Sequence, residues 1–476
     1  MSNDSAACIA ADVAAGRRRA TDVVTQTLER IAARNPALNA FTAVTAQRAL
    51  ATAAAIDAAV AAGRPVGALA GVPFAVKNLI DVAGLPTLAG SRINRDRPPA
   101  AADATLVTRL EAAGAVLLGA LNMGEYAYDF TGENAHDGPS RNPHDTTRMS
   151  GGSSGGSGAA VGGALVPIAL GSDTNGSIRV PASFCGVFGL KPTYGRLSRA
   201  GSFPFVSSLD HLGPLARCTA DLALAYDAMQ GADPRDPVCT DRAADPATPT
   251  LHDGIAGLRV AVAGGYFRAG ASAQALSALD SVAAALDATR EIALPEAARA
   301  RAAAYVITAS EGAALHLPRL RTRPEEFDPD VRDRLIAGAL IPAAFVAQAQ
   351  KFRRWYRDAV LRLFEMVDVI LAPATPCVAP LIGQKTFVLD GREVPLRANI
   401  GIYTQPVSFI GLPVVAVPVA LPGGLPIAVQ VIAAPWREAV ALRVAQALEA
   451  CGIACAPDPA AGQVRQSFGR HHSTSP

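Results

Sequence analysis

Lysine is nearly absent from this chain: of 43 basic side chains only Lys77, Lys191, Lys351 and Lys385 are lysine. Arginine carries the solvated positive charge, so a lysine in an apolar segment stands out, because lysine can lose its proton in a protein and arginine cannot. Histidine numbers only seven, none at ligand spacing, and there is no His-Glu-x-x-His. With no Cys-x-x-Cys pair either, the usual zinc arrangements are excluded. The seven cysteines are odd in number and scattered, which points to a reducing compartment with most of them as small core residues. No Gly-Lys-Ser/Thr follows a glycine run, so there is no Walker loop. A net charge of +2 offers neither a basic face for nucleic acid nor an acidic tail. No run of about 18 strongly apolar side chains exists to span a membrane. The alanine-rich start has Asp4 and Asp12 around it and Arg17-Arg18-Arg19 after it, the reverse of a secretory signal. These absences predict a cytoplasmic protein without nucleic-acid or membrane partners.

What is present describes a large core. Half of the 476 residues are apolar and 18% are charged; the length allows two or three domains, although large α/β enzymes often run as one. Residues 5–62 read as two or three helices, with a cap at Thr21-Asp22. Gly71 to Lys77 reads as a buried strand ending on lysine, 103–113 as a helix, and Ala115 to Gly119 as a strand. A small-residue helix is expected from Gly158 to Gly163, with strands at Ala164–Leu170 and Phe184–Leu190. Residues 232–256 read as a surface connection, Leu258 to Ala263 as a strand and 326–366 as arginine-rich helix leading to Val367–Pro373. The last strand pair is expected at 414–419 and 427–432. Strand–helix–strand order repeats, which argues for an α/β sheet covered by helices.

Two glycine-bracketed, hydroxyl-bearing loops draw attention. One is Met149-Ser150-Gly151-Gly152-Ser153-Ser154-Gly155-Gly156-Ser157-Gly158, the other Gly171-Ser172-Asp173-Thr174-Asn175-Gly176-Ser177-Ile178-Arg179. Such runs are often flexible linkers, but this one lies between apolar segments; Asp173 and Arg179 could pair across the second loop and stiffen it. Gly151-x-Ser153-x-Gly155 also matches the nucleophile elbow of α/β-hydrolases. Its histidine would come from His211, His252, His316, His471 or His472, of which His252 lies in a polar connection and the last two in a tail. The segment before Ser153, 142–149, reads as a loop where that motif requires a strand. A third reading joins Lys77, Ser153 and Ser177: burial makes a lysine neutral, and a neutral lysine can deprotonate a serine. As an isolated residue, a lysine such as Lys77 is more often a structural ion-pair partner than a base. Cys185 lies in an apolar segment with no histidine near, which speaks against a cysteine nucleophile.

At this point the chain resembles the amidase signature family. The resemblance rests on Gly71-Val72-Pro73-Phe74-Ala75-Val76-Lys77-Asn78, on both loops, and on Phe184 through Lys191-Pro192-Thr193-Tyr194-Gly195. Gly411-Leu412-Pro413 and Gly424 through Gln430 add to it, so that it runs from about residue 5 to 450. It implies an α/β amidase signature fold, a mixed twisted sheet covered on both sides by helices. The domain would span residues 1–457, with N-terminal helices at 5–62, a catalytic core at about 66–220 and a disordered tail at 458–476. It implies catalysis without a metal or cofactor by a Ser–cis-Ser–Lys triad: Ser177 as nucleophile, Lys77 as base, and Ser153, on a non-proline cis peptide bond, as relay. Backbone N–H groups of Thr174, Asn175, Gly176 and Ser177 would form the oxyanion hole.

Two positions depart from the family pattern, which usually has glycine at Asn175 and aspartate at Asn78. An amide beside the nucleophile points to a small, polar substrate. The Asp-Thr-Asn-Gly-Ser loop, with Ala309-Ser310-Glu311-Gly312, His316-Leu317 and Leu320 to Pro324, resembles the 1-carboxybiuret hydrolases of cyanuric acid catabolism. Those enzymes release ammonia from a small anionic ureide and work with a small accessory subunit, so the resemblance implies an oligomeric assembly. The arginine-rich run 319–334 supplies candidate clamps for such an anion. Alternatives are the glutaminase subunit of a tRNA-dependent amidotransferase, which shares Gly-Leu-Lys-Pro-Thr-Tyr-Gly and Ser207-Ser208-Leu209-Asp210, and a broad amidase. A scaffold that lost activity is disfavoured by the intact Lys77, Ser153 and Ser177.

Overall fold

A computed structural model of the protein describes residues 5–422 and 424–458. Its frame is an eleven-stranded mixed sheet. The strands run in the order Phe41–Val44, Val116–Leu121, Pro73–Lys77, Ile168–Asp173, His211–Ala216, Phe188–Lys191, Val414–Val419, Ile427–Ala433, Val369–Pro373, Val260–Ala263 and Arg290–Ile292. Pairing is parallel among 73–77, 116–121 and 168–173 near one end, and among 369–373, 260–263 and 290–292 at the other. The strands between are antiparallel. Every residue of Pro73–Lys77, Val116–Leu121, Val414–Val419 and Ile427–Ala433 is buried. Because successive side chains in a strand point to opposite faces, both faces of the sheet are covered.

Several expected boundaries move, each for a local reason. Three helices, Ala6–Ala14, Ala20–Leu38 and Ala46–Ala61, fill the N-terminal section, with the unforeseen edge strand Phe41–Val44 between the last two. The cap expected at Thr21-Asp22 comes from elsewhere: Asp57 accepts from the N–H groups of Ala20 at 2.6 Å and Thr21 at 3.1 Å. The strand expected at 164–170 is Ile168–Asp173, displaced because Ala164 has φ 54° and Pro167 cannot donate to a ladder. The run Phe184–Leu190 is split: Phe184 and Cys185 end the helix Arg179–Cys185, Gly186 caps it at φ 65°, and the strand starts at Phe188. Before Ser153 the expected loop contains a short strand, Asp145–Met149, paired with Arg141–Asn142 outside the main sheet. Of the cysteines, all free, only Cys185 is buried, so the others are not core residues as expected. The expected tail lies outside the described residues beyond Asp458, as do His471 and His472. Among the described residues no single helix is long and apolar enough to cross a membrane.

The site follows from this topology. Strands Pro73–Lys77 and Ile168–Asp173 are parallel neighbours, with Val76 opposite Leu170, so Lys77 and the loop beginning at Thr174 leave the sheet on the same side. Carboxyl ends of parallel strands are where open α/β sheets bind ligands. The helix Gly155–Gly162 carries the other loop over these strand ends. It sits so close that a Cβ on Gly156 would lie 2.5 Å from the Asn122 carbonyl oxygen.

Candidate active site

Lys77 is fully buried, and its Nζ donates to Ser153 Oγ at 2.7 Å, Ser172 Oγ at 2.9 Å and Ser154 Oγ at 3.0 Å. No carboxylate reaches it within ion-pair distance among the described residues, which separates it from a structural salt-bridge lysine. Burial pushes its pKa down to about 7; the more distant Asp173, Asp210 and Asp129 pull the other way and lose. Ser153 sits on a cis peptide bond after Gly152. Residues 128–132 back this bond: Gly151 and Gly152 donate to the carbonyls of Thr131 and Phe130. A Cβ on Gly152 would stand 2.3 Å from Asp129 Oδ2 and 2.8 Å from the Gly132 nitrogen, so only glycine fits.

The second loop is braced by the pair the sequence foresaw. Arg179 Nε meets Asp173 Oδ2 at 3.0 Å and its Nη2 meets Oδ1 at 3.0 Å, both side chains fully buried. The guanidinium goes on to Gln430 Oε1 at 2.6 Å, to the Thr404 carbonyl at 3.2 Å and to Ser408 Oγ. Gln430, singled out by a motif more than half the chain away, thus completes the brace. Burial alone would raise the Asp173 carboxyl, but the Arg179 charge outweighs it and holds that carboxyl well below the usual range. Thr404 Oγ1 donates to the Asn175 carbonyl at 2.7 Å. In a trans peptide the next N–H then points the opposite way. Gly176 has φ 140°, and a Cβ there would collide with Thr404 Oγ1 at 2.2 Å. The N–H groups of Thr174, Asn175, Gly176 and Ser177 donate to no described residue, which leaves four adjacent donors at the loop.

Ser177 lines a cavity of about 150 Å³ with Thr174, Asn175, Tyr128, Phe205, Thr308, Arg334 and Arg397. The two arginines differ. Arg397 meets Asp129 at 2.9 Å, Asp330 at 3.3 Å and Glu133 at 3.5 Å. Arg334 has no carboxylate partner among the described residues: it lies 3.9 Å over the Tyr128 ring and donates to the Tyr128 and Asp330 carbonyls. Of the arginine-rich run 319–334 only Arg334 reaches this cavity. Arg319 stacks on Phe203, Arg323 pairs with Glu326 and Asp96, and Arg332 with Asp333.

The structure therefore brings Lys77, Ser153 and the 174–177 loop to one place. It does not join Ser153 to Ser177 by a hydrogen bond. The histidine partners expected for an elbow fall away: no described histidine bonds to Ser153 or Ser177. His211 is buried beneath the loop, its Nδ1 against the Asp173 and Leu209 carbonyls, His316 is enclosed by Tyr126, Phe203 and Phe327, and His252 is exposed. Cys185 is buried at a helix end, and burial pushes its thiol far up, away from reactivity. Asn78 serves the framework, accepting from the Gly90 N–H at 3.0 Å. No group of three His, Cys, Asp or Glu side chains among the described residues could hold a metal ion.

Comparison with known proteins decides the family. The model of the Amidase family matches residues 22–442. This chain is an amidase family member. It is 57% identical over 445 residues to AtzE, a chain of 1-carboxybiuret hydrolase from Pseudomonas sp. (strain ADP), covering 93% of this chain and 97% of that protein. It is 41% identical over 467 residues to a glutamyl-tRNA(Gln) amidotransferase chain from Azotobacter vinelandii, covering 92% and 95%. A solved chain from a vestigial protein complex that reveals the origins of an s-triazine catabolic enzyme superposes with a TM-score of 0.94. That match has 55% identity and covers 95% of this amidase and all of that chain. A bacterial aryl acylamidase of the amidase signature family matches with a TM-score of 0.86 at 27% identity, covering 94% and 96%.

Sequence reasoning missed Ser154 and Ser172 as the other two hydroxyls on Lys77, although both stand in the loops it singled out. It also missed Asp129, Arg397 and Thr308, which come from segments without a distinctive pattern and reach the cavity only through the fold.

Proposed function

We propose that this amidase hydrolyses the terminal carboxamide of 1-carboxybiuret or a closely similar anionic ureide, releasing ammonia. One observation carries the substrate reading: Arg334, which lines the cavity with Ser177, has no carboxylate partner among the described residues. A carboxylate on the substrate would complete it with a charge-assisted hydrogen bond. The relation to a chain of 1-carboxybiuret hydrolase supports the same class.

The chemistry follows from the Lys77 cluster. Neutral Lys77 keeps two N–H groups and gains a lone pair. Ser154 already donates its proton to the Ser172 carbonyl at 3.1 Å, so it accepts from Lys77. Ser153, the shortest contact, donates into the lone pair, leaving its oxygen free to take the proton of Ser177. Hydrogen bonds of this kind tighten when substrate closes the site. Ser177 Oγ then attacks the carboxamide carbon, and the oxyanion falls to the N–H groups of Thr174, Asn175, Gly176 and Ser177. Each such donor is worth about 3 kcal/mol to the transition state. The proton returns through Ser153 to the nitrogen, ammonia leaves, and water hydrolyses the acyl-enzyme to the carboxylic acid. We further propose cytoplasmic work with a small accessory subunit in an oligomeric assembly, supported by the complex from which the similar solved chain comes.

Ammonia release from 1-carboxybiuret, glutamine and simple amides tests the reading. Ser177→Ala should abolish release with the fold intact. Arg334→Gln should raise KM for the anionic ureide roughly 10- to 100-fold, the loss of one hydrogen bond to a charged group. Rapid turnover of glutamine that depends on an amidotransferase partner would refute the ureide assignment.

A further inference from the structure

One end of the Asn175 side chain has no hydrogen-bond partner among the described residues. The residue is 7% exposed and lines the cavity at Ser177. Its Nδ2 donates to Thr308 Oγ1 at 2.9 Å, while its buried Oδ1 accepts from no described residue. A buried amide oxygen left unmatched costs roughly 1–3 kcal/mol, which a donor on a ligand would relieve. The carboxylate and the second carboxamide at the cavity are already engaged, although the buried Tyr128 hydroxyl, like Asn175 Oδ1, has no partner among the described residues. Asp129 receives Arg397, Thr131 and Gly132, and Gln405 Oε1 receives Arg301 at 3.0 Å. The Asn175 carboxamide is also held from outside its loop, because Thr308 lies within the long helix Ala297–Thr322 and is itself buried.

We propose that Asn175 is a specificity residue whose Oδ1 accepts the N–H attached to the acyl side of the scissile carbonyl, and that Thr308 positions it. A ureide carries an N–H at that atom; glutamine carries a CH2 there and would leave the oxygen unmatched. The inference rests on the ureide reading above and adds the group that separates the two substrate classes. A site built around a buried polar group rejects the analogue that lacks its partner.

The test compares 1-carboxybiuret with the analogue in which that N–H is replaced by CH2, in the wild type, Asn175→Gly and Thr308→Val. Asn175→Gly should lower kcat/KM for the ureide at least about tenfold more than for the CH2 analogue, so that the wild-type preference collapses. Thr308→Val, which lies outside the catalytic loop, should give a smaller collapse of the same preference. Equal losses on both substrates in both variants would overturn the proposal, since they would mean a general disturbance of the loop. A wild type that releases no ammonia from the ureide would instead overturn the substrate reading beneath it, a result visible before any variant is made.

Discussion

Replacing Lys77 by methionine should make the stability of the protein less dependent on pH, in a direction the structure fixes. In the unfolded chain a lysine holds its proton up to 10.5, whereas the buried Lys77 releases it at about 7. Below pH 7 both states are charged, and the folded state bears the full cost of burying that charge. Above 10.5 neither is charged and the cost vanishes, so the wild type gains stability as pH rises through this window. At about 1.4 kcal/mol per pH unit, the whole effect is at most about 5 kcal/mol. Lys77→Met removes it, and also removes three hydrogen bonds to Ser153, Ser154 and Ser172. That second loss is worth about 1 kcal/mol each and does not vary with pH. Lys191 is likewise pushed down to about 7, by burial and the Arg179 charge, so the wild-type curve mixes two lysines and only the difference between variant and wild type isolates one. Thermal midpoints across roughly pH 6 to 10 should show the variant ahead, relative to the wild type, most at the acid end, with the gap shrinking as pH rises. The wild-type kcat/KM should rise along a limb near pH 7. A gap that is constant with pH, or one that grows toward alkali, would refute the reasoning. It would mean that Lys77 stays charged in the fold and that the base must be sought elsewhere.

Two further outcomes test the framework of the site. Arg179→Met should destabilise the protein by about 3–5 kcal/mol, because it leaves Asp173 charged and buried. Arg179→Met with Asp173→Asn should cost clearly less than the two single changes added together; strict additivity in chemical denaturation would show that the brace is not a coupled unit. Gly152→Ala should lower the denaturation midpoint and abolish ammonia release, because the added methyl would meet Asp129 Oδ2 at 2.3 Å. An active, stable Gly152→Ala enzyme would show that this approach is looser than drawn.

The contrast between Ser153 and Ser177 shows how far the letters could be read. Strand 73–77 ending on a lysine, the brace between Asp173 and Arg179 and the α/β sheet were legible because each rests on neighbours in sequence or on apolar runs. The choice of nucleophile came only through the family resemblance, since Gly-x-Ser-x-Gly and the second loop each offered a serine. The fold separates them by partner: Ser153 lies 2.7 Å from Lys77 Nζ, whereas Ser177 lines the cavity at the end of four N–H groups with no acceptor among the described residues. In the mechanism proposed above, a serine against the base and a serine against the oxyanion donors would not exchange roles, because the attacked carbonyl must sit within reach of those donors. Periodicity fails for the same reason at Arg334, which has the composition of its solvated neighbours in the run 319–334. Only the packing of helix Pro329–Ala339 on the Tyr128 ring turns it toward Ser177. What would mark the proposed substrate clamp off from a surface charge is the lack of a carboxylate partner among the described residues, and a missing partner has no letter in the sequence.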